Sequence, residues 1–198
     1  MEDKLIDWSA AIVAVEGETV SGDLYLIRPI SNGVLVAAID GIGHGPEAAA
    51  SSQVAVSVID KDPNQSLVAL VQSCHVALKN MRGVVMSLAS FNKVENTMTW
   101  LGVGNVEGRL IRGNSSVGMT QDSLLLRGGI VGSNLPSLVA IEVPIASGDM
   151  VIFASDGIRN DFAEDLNINA HPQELVRGIL TRSAKHTDDA LVVVIRYL

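Results

Sequence analysis

Acidic residues at the ends of apolar segments are the groups in this chain best suited to chemistry. Four positions share this feature: Asp23 in Ser-Gly-Asp, Asp40 in Asp-Gly-Ile-Gly-His-Gly, Asp156 in Ala-Ser-Asp-Gly, and the pair Asp188 and Asp189 before the last apolar segment. A buried strand that ends in Asp-Gly presents a carboxylate at the edge of a sheet, and the glycine lets the next carbonyl turn toward the same point. Carboxylates, a carbonyl and water are the ligands that Mg²⁺ and Mn²⁺ prefer. The pattern therefore favours a site for a hard divalent cation.

Each aspartate taken singly also fits a simpler role, that of a turn residue that hydrogen-bonds its own loop. Loop aspartates are common, but chance does not readily place one beside each of several apolar segments spread over a whole chain. A zinc site is disfavoured because the chain has one cysteine and four scattered histidines. Since spacing alone does not bring the four positions together, the cation site depends on how the chain folds.

The segments next to Asp23 and Asp40 are the clearest predicted strands. Residues 23–30 and 34–39 are apolar runs joined by Ser31-Asn32-Gly33, a strong signal for a β-hairpin, and should therefore be antiparallel. Because residues 34–39 are continuously apolar, this strand is expected to be covered on both faces. The other predicted strands are residues 10–15, 84–91, 97–103, 108–111, 124–126, 138–143, 150–154 and 191–195.

Three helices are predicted, each beginning near a proline. Pro46 begins the first, Asp62 caps the second with Pro63 in its first position, and Pro172 begins the third. The second helix carries a buried stripe that includes Cys74, which is predicted to be a core residue rather than a reactive thiol. The order of the elements predicts an α+β fold, in which two packed, mainly antiparallel β-sheets form a β-sandwich flanked by α-helices. We expect one domain over residues 1–198.

Composition excludes several classes of partner. The formal net charge is −8, and three Phe, two Trp and two Tyr are too few for base-stacking platforms, so no nucleic acid is expected to bind. No membrane is expected either, since no apolar run approaches the roughly 18 residues that span a bilayer and no basic segment marks a signal peptide. One cysteine cannot form an intramolecular disulfide, which favours a cytoplasmic location.

The order of five motifs resembles that of the metal-dependent protein phosphatases of the PPM (type 2C) family. The chain is most similar to the compact bacterial SpoIIE-like branch, in which Asp-Gly-x-Gly-x-Gly leads into a helix, and within it to the single-domain phosphatases of the stressosome. The resemblance spans nearly the whole chain. The motifs are Ser21-Gly22-Asp23, Asp40-Gly41-Ile42-Gly43-His44-Gly45, Val103-Gly104-Asn105, Ser155-Asp156-Gly157 and Asp188-Asp189.

This resemblance implies two Mn²⁺ or Mg²⁺ ions at one end of the β-sandwich. Asp40 would bridge both ions, and Asp40 and Asp156 are the implied catalytic residues. Two cations about 3.5–4 Å apart can activate a shared water and neutralise charge on a phosphoryl group, so no covalent phosphoenzyme is needed. The implied ligands are Asp23 and the Gly41 carbonyl with Asp40 at one ion, and Asp156 and Asp188 at the other, with Asp189 as the alternative to Asp188.

The chain also departs from the family pattern. Eukaryotic members place a histidine, a proposed general acid, two residues after the motif aspartate, and this position is Ile42 here. His44 lies two residues further on and is a candidate to hydrogen-bond substrate, with the alternative that it merely leads into the Pro46 helix. Asn105 is the second candidate substrate-binding residue. No arginine occupies the position that binds substrate phosphate in larger relatives, so affinity would rest on the metals and on protein docking.

The function implied by the resemblance is hydrolysis of phosphoserine or phosphothreonine on partner proteins. The expected partners are phosphorylated STAS-domain components of a bacterial stress-signalling complex, the stressosome. One alternative is a phosphatase of a phosphorylated anti-sigma-factor antagonist, and another is a catalytically weak docking module on a signalling scaffold. A nucleotide-binding domain is disfavoured because the glycines around Gly43 do not have the Gly-x-Gly-x-x-Gly spacing.

Overall fold

Two mainly antiparallel sheets pack face to face in the computed structural model of the protein, which describes residues 4–113 and 121–198. The strands are β1 (Ile6–Val13), β2 (Asp23–Ile30), β3 (Gly33–Gly41), β4 (Val84–Asn92), β5 (Thr97–Val103), β6 (Glu107–Ile111), β7 (Gln121–Ser123), β8 (Leu126–Arg127), β9 (Ile141–Pro144), β10 (Met150–Ala154) and β11 (Ala190–Tyr197). Sheet one has the order β1-β11-β10-β6-β7, and sheet two has the order β2-β3-β4-β5-β8 with β9 paired to β5. The predicted α+β sandwich is confirmed.

The apolar core between the sheets comes from alternate residues of the central strands. Val36 and Ala38 of β3 lie in one cluster with Phe91 of β4, Phe153 of β10 and Val193 of β11, and all five are fully buried. The β3 residues that alternate with Val36 and Ala38 point to the opposite face of the sheet, toward helices. Both faces of β3 are therefore covered, as its continuous apolar run predicts.

Helices cover the outer face of each sheet. The first two helices, α1 (Gly45–Lys61) and α2 (Leu67–Ala77), pack on sheet two, and α3 (Pro172–Ser183) packs on sheet one. Cys74 lies fully buried on the inner face of α2, which confirms it as a core residue. None of the described helices is long and apolar enough to cross a membrane.

The predicted start of α2 is wrong. Asp62 instead ends α1, and its carboxylate accepts a hydrogen bond from the Gln65 side chain at 2.7 Å, which keeps residues 62–65 in a turn. The helix begins after Ser66, whose Oγ accepts the Ala69 N–H at 3.3 Å. Serine supplies the N-terminal cap that the sequence analysis assigned to aspartate.

Three strand boundaries also differ from the prediction. The first strand is Ile6–Val13 rather than residues 10–15, because it pairs along its whole length with β11. Residues 124–126 do not form one strand, since the chain crosses there from β7 in sheet one to β8 in sheet two. The strand predicted at 138–143 is Ile141–Pro144. Pairing partners distant in sequence decide each of these boundaries.

The strand ends that carry the acidic motifs meet at one end of the sandwich. Asp23 at the start of β2 stands opposite Asp40 near the end of β3. In sheet one, Ala154 at the end of β10 stands opposite Val192 near the start of β11, which brings residues 155–157 beside residues 188–190. These two segments come very close together at Gly157, where an added Cβ would lie 1.9 Å from the Asp189 carbonyl oxygen.

We expect Gly157→Ala to destabilise the protein, because the added methyl group must push apart two backbone segments. The expected loss in the free energy of unfolding is about 1–3 kcal/mol, measured by urea denaturation. Gly178→Ala is the matched control, since that glycine lies within α3 with nothing within 4 Å of the added Cβ. It should gain about 0.5–1 kcal/mol from helix propensity. Equal stability of the two variants would contradict this account.

Candidate metal centre

Asp23 and Asp40 form the half of the candidate site that belongs to sheet two. They face each other across the β2–β3 ladder, a position set by the Asn-Gly hairpin at the far end of the two strands. Asp23 is 1% exposed and Asp40 is half-buried. Gly41 follows Asp40 and packs so tightly on α1 that an added Cβ would lie 2.4 Å from the Ala48 carbonyl oxygen. The end of β3 is therefore held firmly against the helix.

Asp156 and Asp188 form the half that belongs to sheet one. Both are half-buried, Asp156 just beyond β10 and Asp188 just before β11. Asn105 donates from Nδ2 to Asp156 Oδ2 at 2.9 Å, and Lys185 donates from Nζ to the Asp156 carbonyl oxygen at 2.6 Å. These contacts place an amide and a cation beside the Asp156 carboxylate.

A buried serine joins the two halves. Ser155 Oγ donates to Asp23 Oδ2 at 2.7 Å and accepts the Leu191 N–H at 2.8 Å. The Ser155 hydroxyl thus links Asp23 of sheet two to β10 and β11 of sheet one. The ends of both sheets are held together at the point where the aspartates gather.

Asp188 and Asp189 have different surroundings. Asp189 is 3% exposed, and its two carboxylate oxygens accept the N–H groups of Val15 at 2.8 Å and Gly22 at 2.6 Å. Asp188 accepts only the N–H of Asp189 among the described residues, at 2.9 Å, and lines a cleft of about 300 Å³. Asp189 is therefore engaged in holding backbone, while Asp188 is the more available of the two for a ligand.

The buried carboxylates are incompletely satisfied by the protein. Among the described residues, Asp23 Oδ1 is a buried oxygen without a hydrogen-bond partner. Burial, and then the charges of neighbouring aspartates, raise the pKa of Asp23 to about 7, against the opposing hydrogen bond from Ser155. Burial and the charge of Asp23 raise the pKa of Asp40 to about 9. Burial and the charge of Asp188 also raise the pKa of Asp156.

These features fit a divalent cation. A cation would give the buried Asp23 oxygen a partner and would neutralise carboxylates that repel one another. In the part of the chain that the structure describes, no three His, Cys, Asp or Glu side chains are close enough to enclose an ion by themselves. An ion held here would complete its coordination with the Gly41 carbonyl and with water, which suits Mg²⁺ because it retains several waters.

The two candidate substrate-binding residues are both held by other side chains. His44 is 61% exposed at the N-terminal cap position of α1, where its side chain makes no capping hydrogen bond, and its Nδ1 lies 2.8 Å from Glu18 Oε1. Asn105 is engaged with Asp156, as described above. Each therefore has a structural partner at this end of the sandwich, and a contact with substrate stays a prediction.

Three residues of this site were missed in the sequence analysis: Glu18, Ser155 and Lys185. Ser155 and its partner Asp23 are 132 residues apart, so no spacing rule connects them. Ser155 directly precedes Asp156, but that position alone does not indicate which way a hydroxyl points. Glu18 and Lys185 lie in loops, and their partners are 26 and 29 residues away in the chain, beyond the reach of a local spacing rule.

We expect the stability of the metal-free protein to fall as pH rises. The pKa values of Asp23 and Asp40 are raised above the ordinary value of 3.8, so the folded state takes up protons relative to the unfolded state. This contribution is fully present below about pH 4 and is lost as pH rises through about 7 and 9. Melting temperatures in chelator at about pH 5.5 and about pH 8.5 test this, and added Mn²⁺ should reduce the difference.

Asp40→Asn is the control for that experiment, because it removes the group with the larger shift and should flatten the pH dependence. A melting temperature that rises from the lower to the higher pH in chelator would contradict the expectation.

Comparisons with known proteins agree with the fold and the family resemblance. A family model described as Stage II sporulation protein E (SpoIIE) matches residues 31–198. Phosphoserine phosphatase RsbX of Bacillus subtilis (strain 168) is 28% identical over 91 residues, a stretch that spans 46% of each protein, so the match covers about half of that curated relative.

Two solved structures superpose on almost the whole chain. The first, described as "The bacterial stressosome: a modular system that has been adapted to control secondary messenger signaling", is 30% identical with a TM-score of 0.86 and covers 98% of this chain and 100% of its own. The second, RsbX in complex with magnesium, is 20% identical with a TM-score of 0.87 and covers 100% and 98%. Since the family model matches well over half of the residues, the chain belongs to the SpoIIE family of PPM-type phosphatase domains.

Proposed function

We propose that this chain hydrolyses phosphoserine or phosphothreonine on partner proteins, with two divalent cations held at the acidic end of the sandwich. The observation that carries the proposal is the buried Asp23 Oδ1, which has no hydrogen-bond partner in the described part of the chain and lies beside aspartates from both sheets, in a chain of the SpoIIE family. The similarity to RsbX, a phosphoserine phosphatase, supports the substrate class.

The proposed ligands divide between the two sheets. Asp40 would bind both ions. The Gly41 carbonyl and Asp23 would complete the ligands of the ion on the side of sheet two, and Asp156 and Asp188 would hold the other ion. Asp189 is not a ligand in this proposal, since both of its carboxylate oxygens are engaged with backbone N–H groups. This division is the one that the family resemblance implies, and the available oxygens of Asp188 are consistent with it.

Divalent cations at such a site supply positive charge to a phosphoryl group and acidify water. The chain's own residues bind and orient the ions, and they limit where a phosphate can enter. Asn105 holds the Asp156 carboxylate through the hydrogen bond from Asn105 Nδ2. Glu18 orients the His44 ring through His44 Nδ1, which leaves His44 Nε2 on the other side of the ring. His44 and Asn105 are proposed to contact the substrate from the two sides of the centre.

The proposed partners are phosphorylated STAS-domain proteins of a stressosome-like complex. The support is the likeness, at 30% identity over nearly the whole chain, to a structure described as belonging to the bacterial stressosome. A phosphorylated anti-sigma-factor antagonist is the alternative substrate of the same chemistry. The proposed location is the cytoplasm, supported by the single cysteine, which cannot form an intramolecular disulfide.

We expect Asp40→Asn to abolish metal-dependent phosphate release from a phosphoserine protein, with a loss of more than about 100-fold in kcat/KM. A change of a metal ligand should exceed the roughly 10–100-fold effect typical of residues that only support one. Phosphate release is measured in Mn²⁺ and in chelator, with Asp156→Asn as a second variant. Docking to the phosphoprotein that survives both changes, with no phosphate release by the wild type in any metal, would favour a pure docking module instead.

Asp188→Asn and Asp189→Asn should separate metal binding from stability. Asp188→Asn should lower Mn²⁺ affinity more than about tenfold and leave the melting temperature of the metal-free protein unchanged or raised, because it removes a repelling charge. Asp189→Asn should lower stability by about 1–3 kcal/mol, because an amide NH₂ cannot accept a backbone N–H. Calorimetric titration and urea denaturation measure the two effects. The reverse assignment of effects would make Asp189 the ligand.

A further inference from the structure

Ser155 is a buried hydroxyl at the junction of the two sheets. It follows the last residue of β10, is 2% exposed, and lies one residue before the proposed ligand Asp156. Its backbone N–H donates to the Leu191 carbonyl oxygen at 3.1 Å, and its Oγ accepts the Leu191 N–H at 2.8 Å. Two hydrogen bonds to one residue of β11 therefore fix the position of Ser155.

The direction of the third hydrogen bond follows from proton counting. A serine hydroxyl has a single proton to donate. Because Leu191 N–H supplies the proton in its own bond to Oγ, the Ser155 proton is free to go to Asp23 Oδ2, at 2.7 Å. A carboxylate accepts such a bond most strongly when it is ionised. The hydroxyl therefore favours the charged form of Asp23, as its lowering effect on the pKa of that carboxyl indicates.

This bond also sets the orientation of the carboxylate. With Oδ2 held by Ser155, the other oxygen, Oδ1, is the buried atom that has no partner among the described residues. A free carboxylate could rotate and exchange the two oxygens. Held on one side, Asp23 presents the same oxygen throughout to whatever binds at the end of the sandwich.

We propose that Ser155 is a positioning residue that acts through Asp23, fixing Oδ1 toward the bound cation and coupling the ligands of the two sheets. The inference rests on the proposed function only in that Asp23 is a metal ligand. Removing the hydroxyl leaves the Asp23 carboxylate without a hydrogen-bond donor among the described residues, so the carboxylate must be reoriented when a cation binds. The cost should appear as lost metal affinity.

The test is calorimetric titration of Mn²⁺ into metal-free protein, a readout that does not depend on turnover. Ser155→Ala should weaken Mn²⁺ binding by about 10-fold or more, the range typical of groups that support a ligand. Ser155→Thr keeps a hydroxyl and should restore affinity to within about threefold of the wild type. Ser51→Ala is the matched control, a fully buried serine whose Oγ donates to the Glu47 carbonyl oxygen within α1. It should leave Mn²⁺ affinity unchanged.

A double-mutant cycle with Asp23→Asn separates this inference from the proposed function. If Ser155 acts through Asp23, then Ser155→Ala should cause no further loss of affinity in the Asp23→Asn background. Unchanged affinity in Asp23→Asn alone would overturn the proposed ligand role of Asp23. A loss in Asp23→Asn without one in Ser155→Ala, or an equal further loss in both backgrounds, would overturn the positioning role alone.

Folding of the variants gives a second measurement. If Ser155→Ala fails to fold because the Asp23 charge has lost its partner, the double variant with Asp23→Asn should fold, since the amide is neutral. Failure of both to fold would show that the hydroxyl has a general structural role and would overturn the inference.

Discussion

Repulsion between buried carboxylates is the constraint on which this end of the molecule depends. Asp23 and Asp40 come from one sheet and Asp156 and Asp188 from the other, and burial together with their mutual charge raises the pKa of the first three. A protein that gathered such groups for stability alone would lose free energy, because unpaired buried charge is costly. A cation converts the same arrangement into a favourable one. The acidic end is thus better explained by binding than by folding.

A hydrogen-bond framework of Asp189, Ser52 and backbone groups holds the segments that carry Asp23 and Asp40 in place. Asp189 accepts the Gly22 N–H, and the Gly22 carbonyl in turn accepts the Gly41 N–H at 3.1 Å and the Ser52 hydroxyl at 2.5 Å. One residue, Gly22, therefore connects the segment just before β11, the loop before β2, the end of β3 and α1. Backbone N–H groups can satisfy part of the hydrogen-bonding capacity of a carboxylate. They are held more firmly in place than the end of a long cationic side chain. The framework leaves the remaining oxygens available to a ligand.

The four-layer core makes this arrangement rigid. Sheet two is covered by α1 and α2 and sheet one by α3, while the inner faces share one apolar cluster. The chain shares this fold with the two solved structures described above, which are 30% and 20% identical to it in sequence. Family membership rests on the family model that matches residues 31–198. The segment around His186 borders the cleft beside Asp188.

The sequence by itself determined the fold class, most strand positions and the candidate metal-binding aspartates. The spacing of apolar residues, the turn signals and the Asp-Gly strand ends that indicate them are local properties of the chain. The Asn32-Gly33 hairpin predicted that the strands next to Asp23 and Asp40 are antiparallel, and the structure shows that the register places the two aspartates opposite each other. Tertiary structure alone decided the different surroundings of Asp188 and Asp189 and the bond from Ser155 to Asp23. Each of these depends on which group, distant in the chain, a polar side chain meets, and no local pattern encodes that meeting.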